Sequence, residues 1–272
     1  MEGEKFNDRI SGFTDTGAWK LFIYISSTGV SALMKNDYEE RPEQFKLFER
    51  QWSEKEPDIL KNIESAVYDN PRILDDFSTH IIIDTEKTLL VPSELVEDDE
   101  FEPEMFTEIY PTDEGEIFMD HGEQFTVLYT LVPGLKSFLA RTLPGSKISS
   151  ALTVINNFIT KTYTNREARC YGLSHGDDLY TLLYAEGELL CASKHTHCSP
   201  EDTLYWICLP CEAYGRKKEE IKVRVIGSEN YFRFVSESLS SQVKKVKLIS
   251  PALYENETEL RAILALHTNK QL

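Results

Sequence analysis

Two stretches of the chain repeat one pattern, in which apolar, β-branched and aromatic residues are folded back at a glycine-containing turn. The first is LFIYISSTGVSALMK, from Leu21 to Lys35, and the second is ARCYGLSHGDDLYTLLYAEGELLCASKH, from Ala168 to His195. Such runs around glycine-containing turns predict β-hairpins. Each hairpin is followed by residues with helical spacing and then by a further apolar strand. The sequence therefore predicts a duplicated unit of hairpin, helix and strand.

The duplicated unit constrains the fold class. A repeated hairpin, helix and strand is how two-lobed α/β proteins of the actin and ribonuclease H type are built. We therefore predict an α/β fold with mixed sheets, in which residues 1–165 form the first lobe and residues 166–272 form a ribonuclease-H-like second lobe. The polar stretch from Tyr163 to Glu167 is the predicted boundary.

Two local patterns in the first half add to this outline. Apolar residues from Glu43 to Tyr68 have helical spacing, interrupted at Pro57, and predict a helix. The strings HIIID, from His80 to Asp84, and LLVP, from Leu89 to Pro92, predict a compact pair of strands.

Composition and charge exclude several classes of partner. The formal net charge of −17 repels a phosphate backbone, and no basic stripe is visible, so we expect neither nucleic acid nor an anionic membrane as partner. No apolar run reaches the roughly 20 residues that span a bilayer. Five cysteines, an odd number, and an N-terminus unlike a secretory signal predict a cytoplasmic protein without a disulfide framework.

The paired hairpins and three strings, HIIIDTEKTLLVPSEL, FTVLYTLVPGLKSFL and DDLYTLLYAEGELLCASK, resemble an uncharacterised bacterial family. That family is known only as a domain of unknown function with an actin-like ATPase fold. The resemblance covers roughly residues 15–255. It implies two lobes of the actin and ribonuclease H type, and it implies no particular activity, cofactor or partner.

The resemblance also directs attention to the turns. Active members of the actin, sugar kinase and heat-shock ATPase superfamily place one Asp at the end of the first strand and another in an Asp-x-Gly turn of the second lobe. Those carboxylates hold Mg²⁺ and orient the attacking water. Here Ser26 stands at the first place, and Ser174 precedes Gly176 at the second. The sequence therefore lacks both expected carboxylates.

Four residues remain as candidates for a residual nucleotide pocket between the lobes. Gly29 and Gly176 lie in the two hairpin turns, and Gly227 with Ser228 lies in a strand-to-helix turn that is similar to the adenosine-contacting segment of the superfamily. That segment usually has two adjacent glycines, and only one is present here. An ordinary structural turn is the alternative interpretation at each of these positions.

Histidines and cysteines supply the residue types of a metal site. His195, His197 and Cys198 precede the pair Cys208 and Cys211. Zinc requires four such groups to converge tetrahedrally. A competing pattern places both members of the pair, with two apolar neighbours, on the core-facing stripe of a helix that begins near residue 199. We therefore expect no metal site, and we expect no cofactor.

Two main hypotheses about function follow. The first is a non-catalytic actin-like protein that acts as a cytoplasmic binding or assembly module. An unknown protein partner is one option for it, and the oligomeric state stays open. The second is an atypical nucleotide-binding protein or ATPase whose acidic ligands have moved to Asp84, Asp120 or Asp177. The orientation of these aspartates relative to the cleft distinguishes the two. A zinc-supported interaction domain is a third alternative.

Overall fold

The computed structural model describes residues 17, 19–36, 44–53, 58–96, 101–111, 116–122, 124–162, 167–175, 178–196, 200–240, 242–249 and 263. The strands are β1 (Trp19–Ser26), β2 (Gly29–Asn36), β3 (Gln44–Gln51), β4 (Ser78–Ile83), β5 (Thr88–Pro92), β6 (Phe118–Asp120), β7 (Phe125–Tyr129), β8 (Lys147–Ser150), β9 (Arg169–His175), β10 (Asp178–Ala185), β11 (Glu188–His195), β12 (Lys222–Ile226) and β13 (Lys245–Leu248). The α-helices are α1 (Ile59–Tyr68), α2 (Phe101–Ile109), α3 (Leu135–Thr142), α4 (Ala151–Thr162), α5 (Pro200–Ala213) and α6 (Glu229–Leu239). None of these helices is long and apolar enough to cross a bilayer.

Two five-stranded sheets have the same strand order. In the first sheet the order is β3-β2-β1-β4-β8, and in the second it is β11-β10-β9-β12-β13. In the first sheet β1, β2 and β3 are antiparallel neighbours, and β4 and β8 add in parallel on the other side of β1. In the second sheet β9, β10 and β11 are antiparallel neighbours, and β12 and β13 add in parallel on the other side of β9. The duplicated α/β unit predicted from the two hairpins is therefore confirmed. We call the part that carries the first sheet the first lobe and the part that carries the second sheet the second lobe.

A small antiparallel sheet is inserted into the first lobe between β4 and β8. Its order is β5-β7-β6. It packs with helix α2 around a minor core in which Val91, Phe106 and Leu128 are buried. The insertion places β5 near β11 of the second lobe. The first lobe is therefore the more elaborate of the two.

Helix α4 lies in the apolar core that both lobes share. Its residues Ile155, Phe158 and Ile159 are buried in one cluster with Tyr24 of β1 and Leu182 of β10. Each lobe also has a core of its own, formed against α1 and α3 in the first lobe and against α5 and α6 in the second. Because burial of apolar side chains is the main stabilising contribution, the shared cluster holds the lobes together.

The predicted helix from Glu43 to Tyr68 is wrong over its first half. Residues 44–51 form strand β3, which pairs antiparallel with β2. The helix α1 begins only after Asp58, whose side chain accepts a hydrogen bond from the backbone N–H of Lys61. Pairing with β2 satisfies the backbone groups of this segment, and that tertiary contact overrides the helical spacing of its apolar residues.

The predicted pairing of HIIID with LLVP is also wrong. Strand β4 pairs in parallel with β1 and β8, and strand β5 pairs with β7 in the inserted sheet. The two runs are strands, but a short separation along the chain does not make them partners. The predicted lobe boundary falls among residues 163–166, which lie outside the described residues.

Candidate functional site

Asp84 follows the last residue of β4, where the apolar run of that strand ends. Its backbone N–H donates to the carbonyl of Ile25 at 2.8 Å, so it continues the parallel ladder between β1 and β4. Its side chain is only 2% exposed. A carboxylate so deeply buried requires partners, because an unpaired buried charge is strongly unfavourable.

Three donors from both lobes bind the Asp84 carboxylate. Tyr24 of β1 donates its hydroxyl to Oδ2, and Tyr180 of β10 donates its hydroxyl to Oδ1. The ammonium group of Lys194, on β11, donates to Oδ1 at 2.7 Å. Lys194 also pairs with Oδ2 of Asp178 at 3.0 Å. We call these five residues the interlobe network, because Asp84 and Tyr24 belong to the first lobe and the other three belong to the second.

The electrostatics of the network favour an ionised central pair. Burial by itself raises the pKa of Asp84, but the ammonium of Lys194 and the hydroxyls of Tyr180 and Tyr24 outweigh burial and hold that pKa below its usual range. Burial likewise lowers the pKa of Lys194, and the carboxylates of Asp84 and Asp178 outweigh it and raise that pKa. Asp84 and Lys194 are therefore charged together at neutral pH.

Asp178 is the weakly ionised member of the interlobe network. Burial raises its pKa to about 6, and the carboxylates of Asp84 and Glu86 act in the same direction. The ammonium of Lys194 opposes the shift but is shared with Asp84. Because one ammonium group is shared between the buried Asp84 and the half-buried Asp178, Asp178 keeps its proton up to a mildly acidic pH.

The space beside the interlobe network is small. A recess lined by Asp84, Thr85, Ser150, Tyr180 and Lys194 has room for about one water molecule. A site for a nucleotide needs several hundred Å³. A metal ion at Asp84 would also lie next to the Lys194 ammonium, which repels it.

The first candidate turn is held by hydrogen bonds within its own hairpin. The hydroxyl of Ser26 donates to the carbonyl of Gly29 at 3.3 Å and accepts from the backbone N–H of Thr28 at 3.3 Å. The indole N–H of Trp52 donates to the carbonyl of Ser27 at 2.7 Å. Ser26 and Gly29 therefore have structural partners.

The second lobe contains the other candidate glycines. Gly227 has a φ of +153°, and a Cβ at this position would lie 3.5 Å from the carbonyl oxygen of Ser174. The turn after β12 therefore approaches the end of β9, where the second phosphate turn was expected. The hydroxyl of Ser228 accepts a hydrogen bond from the backbone N–H of Tyr231 and so begins helix α6. Gly176 and Asp177 lie outside the described residues.

Asp120, the remaining relocated candidate, is bound within the first lobe. It accepts the Tyr129 hydroxyl at 2.9 Å and the backbone N–H of Ser150 at 2.7 Å. These bonds tie the inserted sheet to the end of β8. Asp120 and Asp84 are thus both bound by neighbouring protein groups.

Two further contacts explain the cysteine pair and His195. The thiol of Cys211 donates to the carbonyl of Ile207 at 3.2 Å inside the core of the second lobe, where Cys211 and Ile207 are buried as the helical stripe predicts. Cys208, expected on the same stripe, is only partly buried against this core. His195 stacks on Trp206 with ring centroids 3.7 Å apart, and burial lowers its pKa to about 4. Among the described residues no group of histidine, cysteine and acidic side chains is placed to hold a metal. His197 and Cys198 lie outside those residues.

Sequence reasoning identified Asp84 as a candidate but missed its partners. Tyr24 and Tyr180 sit inside predicted strands, where aromatic residues are ordinary core positions. Lys194 belongs to no local sequence motif, because its partner Asp84 is 110 residues away in the chain. The one available signal was a charged residue at the end of an apolar strand, and that signal does not reveal a partner.

The strand order of both sheets defines the class of protein, which is the actin-like ATPase fold. A protein of unknown function with this fold from Bacteroides thetaiotaomicron aligns with a TM-score of 0.78 and 17% identity, over 93% of this chain and 98% of that chain. A family model described as a protein of unknown function (DUF3822) matches residues 13–244, and the chain belongs to that family.

Two other solved structures align less closely. One is the PilM-PilN type IV pilus biogenesis complex, with a TM-score of 0.47 and 11% identity over 90% of this chain and 94% of that chain. The other is the cytoplasmic domain of EpsL, from the type II secretion system of Vibrio cholerae, with a TM-score of 0.44 and 9% identity over 90% of this chain and 95% of that chain. No curated protein sequence matches the chain.

Proposed function

We propose that this protein is a non-catalytic member of the actin-like fold that acts in the cytoplasm as a binding or assembly module. One observation carries the proposal. Asp84 lies between the lobes, where a carboxylate could bind a metal ion or activate water. Its carboxylate is instead bound by Lys194 and two tyrosines. In this arrangement it joins the lobes.

The other positions where a phosphoryl-transfer enzyme needs free carboxylates support the same proposal. That reaction needs a placed metal ion, an orienting carboxylate and phosphate-binding amides in one geometry. Ser26 replaces the first carboxylate and bonds within its hairpin. Asp120 is engaged by Tyr129 and Ser150. A protein that keeps the two-lobed framework with these substitutions acts through its surfaces.

A nucleotide assay on the purified full chain tests the catalytic half of the proposal. Phosphate release from Mg-ATP is measured for the wild type and for Asp84→Asn and Asp120→Asn, with Asp76→Asn, an exposed aspartate in the first lobe, as the matched control. We expect background release in all four. Turnover by the wild type that is lost in Asp84→Asn or Asp120→Asn and kept in Asp76→Asn would establish the alternative, an ATPase with relocated ligands.

The binding half of the proposal needs a separate measurement. Sedimentation of the full chain after cross-linking in the native cytoplasm, with and without added ATP, reports its assemblies. We expect a defined complex, either with a second protein or with copies of the same chain, whose mass does not change with ATP. A chain that stays monomeric and uncomplexed at its native concentration contradicts the role in assembly.

A further inference from the structure

A row of cations crosses three strands of the second sheet on one face. In the parallel register Lys222 of β12 lies beside Arg169 of β9 and Lys245 of β13, and two residues further along Arg224 lies beside Lys247. Partners in a parallel ladder, and residues two apart in one strand, point to the same side of a sheet. We call these five residues the cationic face.

The two arginines of the cationic face have buried donors without an acceptor. Among the described residues, Arg169 Nε and Arg224 Nη1 are buried and make no hydrogen bond. The Arg169 residue as a whole is 9% exposed. A buried donor without an acceptor is unfavourable, and a charged one is more so. Buried guanidinium N–H groups without an acceptor are expected where a bound anion supplies the acceptor.

Both guanidinium groups act on one hydroxyl. Burial raises the pKa of Tyr171, while a hydrogen bond with the Arg169 side chain and the charges of Arg169 and Arg224 oppose that shift. In the sheet Tyr171 is the direct neighbour of Arg224 and lies two residues from Arg169 on the same strand. Both arginines therefore lie close enough to Tyr171 to act on its hydroxyl.

In the described parts of the chain, Glu167 is the carboxylate that pairs with the cationic face. Glu167 pairs with Lys222 and lies 3.7 Å from Arg169 Nη2. In the part of the chain that the structure describes, no carboxylate pairs with Arg224, Lys245 or Lys247. Since the chain carries a net charge of −17, five cations with one acidic partner among the described residues are a marked local exception.

We propose that the cationic face is a binding site for a multivalent oxyanion of phosphate or carboxylate chemistry. Its oxygens accept the free N–H groups of Arg169 and Arg224, and Lys245 and Lys247 supply further positive charge from the exposed edge strand. Guanidinium groups suit this ligand because their fixed N–H groups bind oxyanions with two parallel hydrogen bonds. This site is separate from the interlobe network and does not depend on the proposed function.

Calorimetric titration of the full chain tests the proposal with three probes at equal ionic strength, namely sodium pyrophosphate, sodium citrate and sodium chloride. We expect saturable binding of pyrophosphate or citrate and none of chloride. Tighter binding of pyrophosphate assigns the site to phosphate chemistry, and tighter binding of citrate assigns it to carboxylates. Equal, non-saturable heats for all three salts would overturn the proposal.

Substitutions locate the binding on this face. Arg224→Gln is expected to weaken binding about tenfold or more, because it removes a charge-assisted hydrogen bond. Lys247 is exposed, so Lys247→Gln should fold and provides a second test if Arg224→Gln does not fold. It is expected to weaken binding several-fold. Lys217→Gln removes an exposed lysine outside the face and serves as the control. Binding that is unchanged in Lys247→Gln and in a folded Arg224→Gln, or reduced equally in Lys217→Gln, rejects the site.

Discussion

Lys194 on strand β11 donates to Asp84 at the end of strand β4 over 2.7 Å, and this ion pair joins the two lobes across 110 residues of sequence. The side chains are 7% and 2% exposed. Two tyrosine hydroxyls complete the coordination of the carboxylate, one from each lobe. A buried pair with these additional hydrogen bonds meets the condition under which mutual attraction offsets the cost of desolvation.

Lys194→Met should destabilise the protein by about 3–5 kcal/mol, because it leaves the Asp84 carboxylate buried without a cation. The free energy of unfolding from urea titration at pH 7 measures the loss. Lys217→Met, at an exposed lysine of the same lobe, should change stability by less than about 0.5 kcal/mol. A loss below about 1 kcal/mol for Lys194→Met would mean that the pair does not hold the lobes together.

Tyr180→Phe keeps the ring in the shared core and removes only the hydroxyl that donates to Asp84. A hydrogen bond to a charged group contributes about 1.5–3 kcal/mol, and we expect a loss of that size. Tyr205→Phe is the matched control, because Tyr205 is 57% exposed. Equal unfolding free energies for the two variants would contradict the assigned role of the Tyr180 hydroxyl.

Asp178→Asn should stabilise the protein at pH 7. In the folded state Asp178 holds its proton up to about pH 6, whereas its ordinary pKa is 3.8. Between these values the folded state binds more protons than the unfolded chain, so the free energy of unfolding contributed by this group falls as pH rises. The shift corresponds to at most about 3 kcal/mol, which the neutral amide recovers.

Urea titrations of Asp178→Asn and the wild type at pH 4 and pH 7 measure this effect. The variant should exceed the wild type in stability at pH 7, and the difference should shrink toward zero at pH 4. Asp76→Asn, at an exposed aspartate, should show no such pH-dependent difference. Asp84 acts in the opposite sense, because its lowered pKa gives stability that is lost only at lower pH. A less stable Asp178→Asn at pH 7 would show that its pair with Lys194 outweighs burial.

Ser26→Asp restores the carboxylate expected at the first phosphate turn, but it should not create Mg-dependent ATP hydrolysis. We expect a loss of about 1–3 kcal/mol, because the buried carboxylate cannot donate to the carbonyl of Gly29. Ser27→Asp, at the adjacent half-buried position of the same turn, is the control for added charge. ATP turnover gained in Ser26→Asp alone would show that the rest of a catalytic site is intact.

Cys211→Ala should weaken folding by about 1–2 kcal/mol through lost packing beside Ile207, and Cys208→Ala should cost less because Cys208 is only partly buried. Neither change should alter the zinc content of the purified protein, measured by atomic emission. Stoichiometric zinc in the wild type that disappears in either variant would restore the hypothesis of a zinc-supported domain.

The sequence by itself determined the duplicated unit and much of the local structure. The nearly continuous apolar runs of β1 and β10 indicate strands that are buried on both faces, as they are in the structure. The helical stripe that buries Ile207 and Cys211 in α5 indicates which side of that helix meets the core. The same kind of local pattern gave a wrong prediction for β3. The helical spacing of its apolar residues carries no information about the edge of β2 with which the β3 backbone pairs.

Only the tertiary structure decided the pairings on which the proposed function and the proposed binding site rest. The partners of Asp84 come from β1, β10 and β11, and the cationic face combines residues from β9, β12 and β13. Periodicity records whether a side chain is buried, but it does not record which distant strand lies opposite. Such contacts form only when the sheets assemble in register, which closes long loops at a cost in conformational entropy.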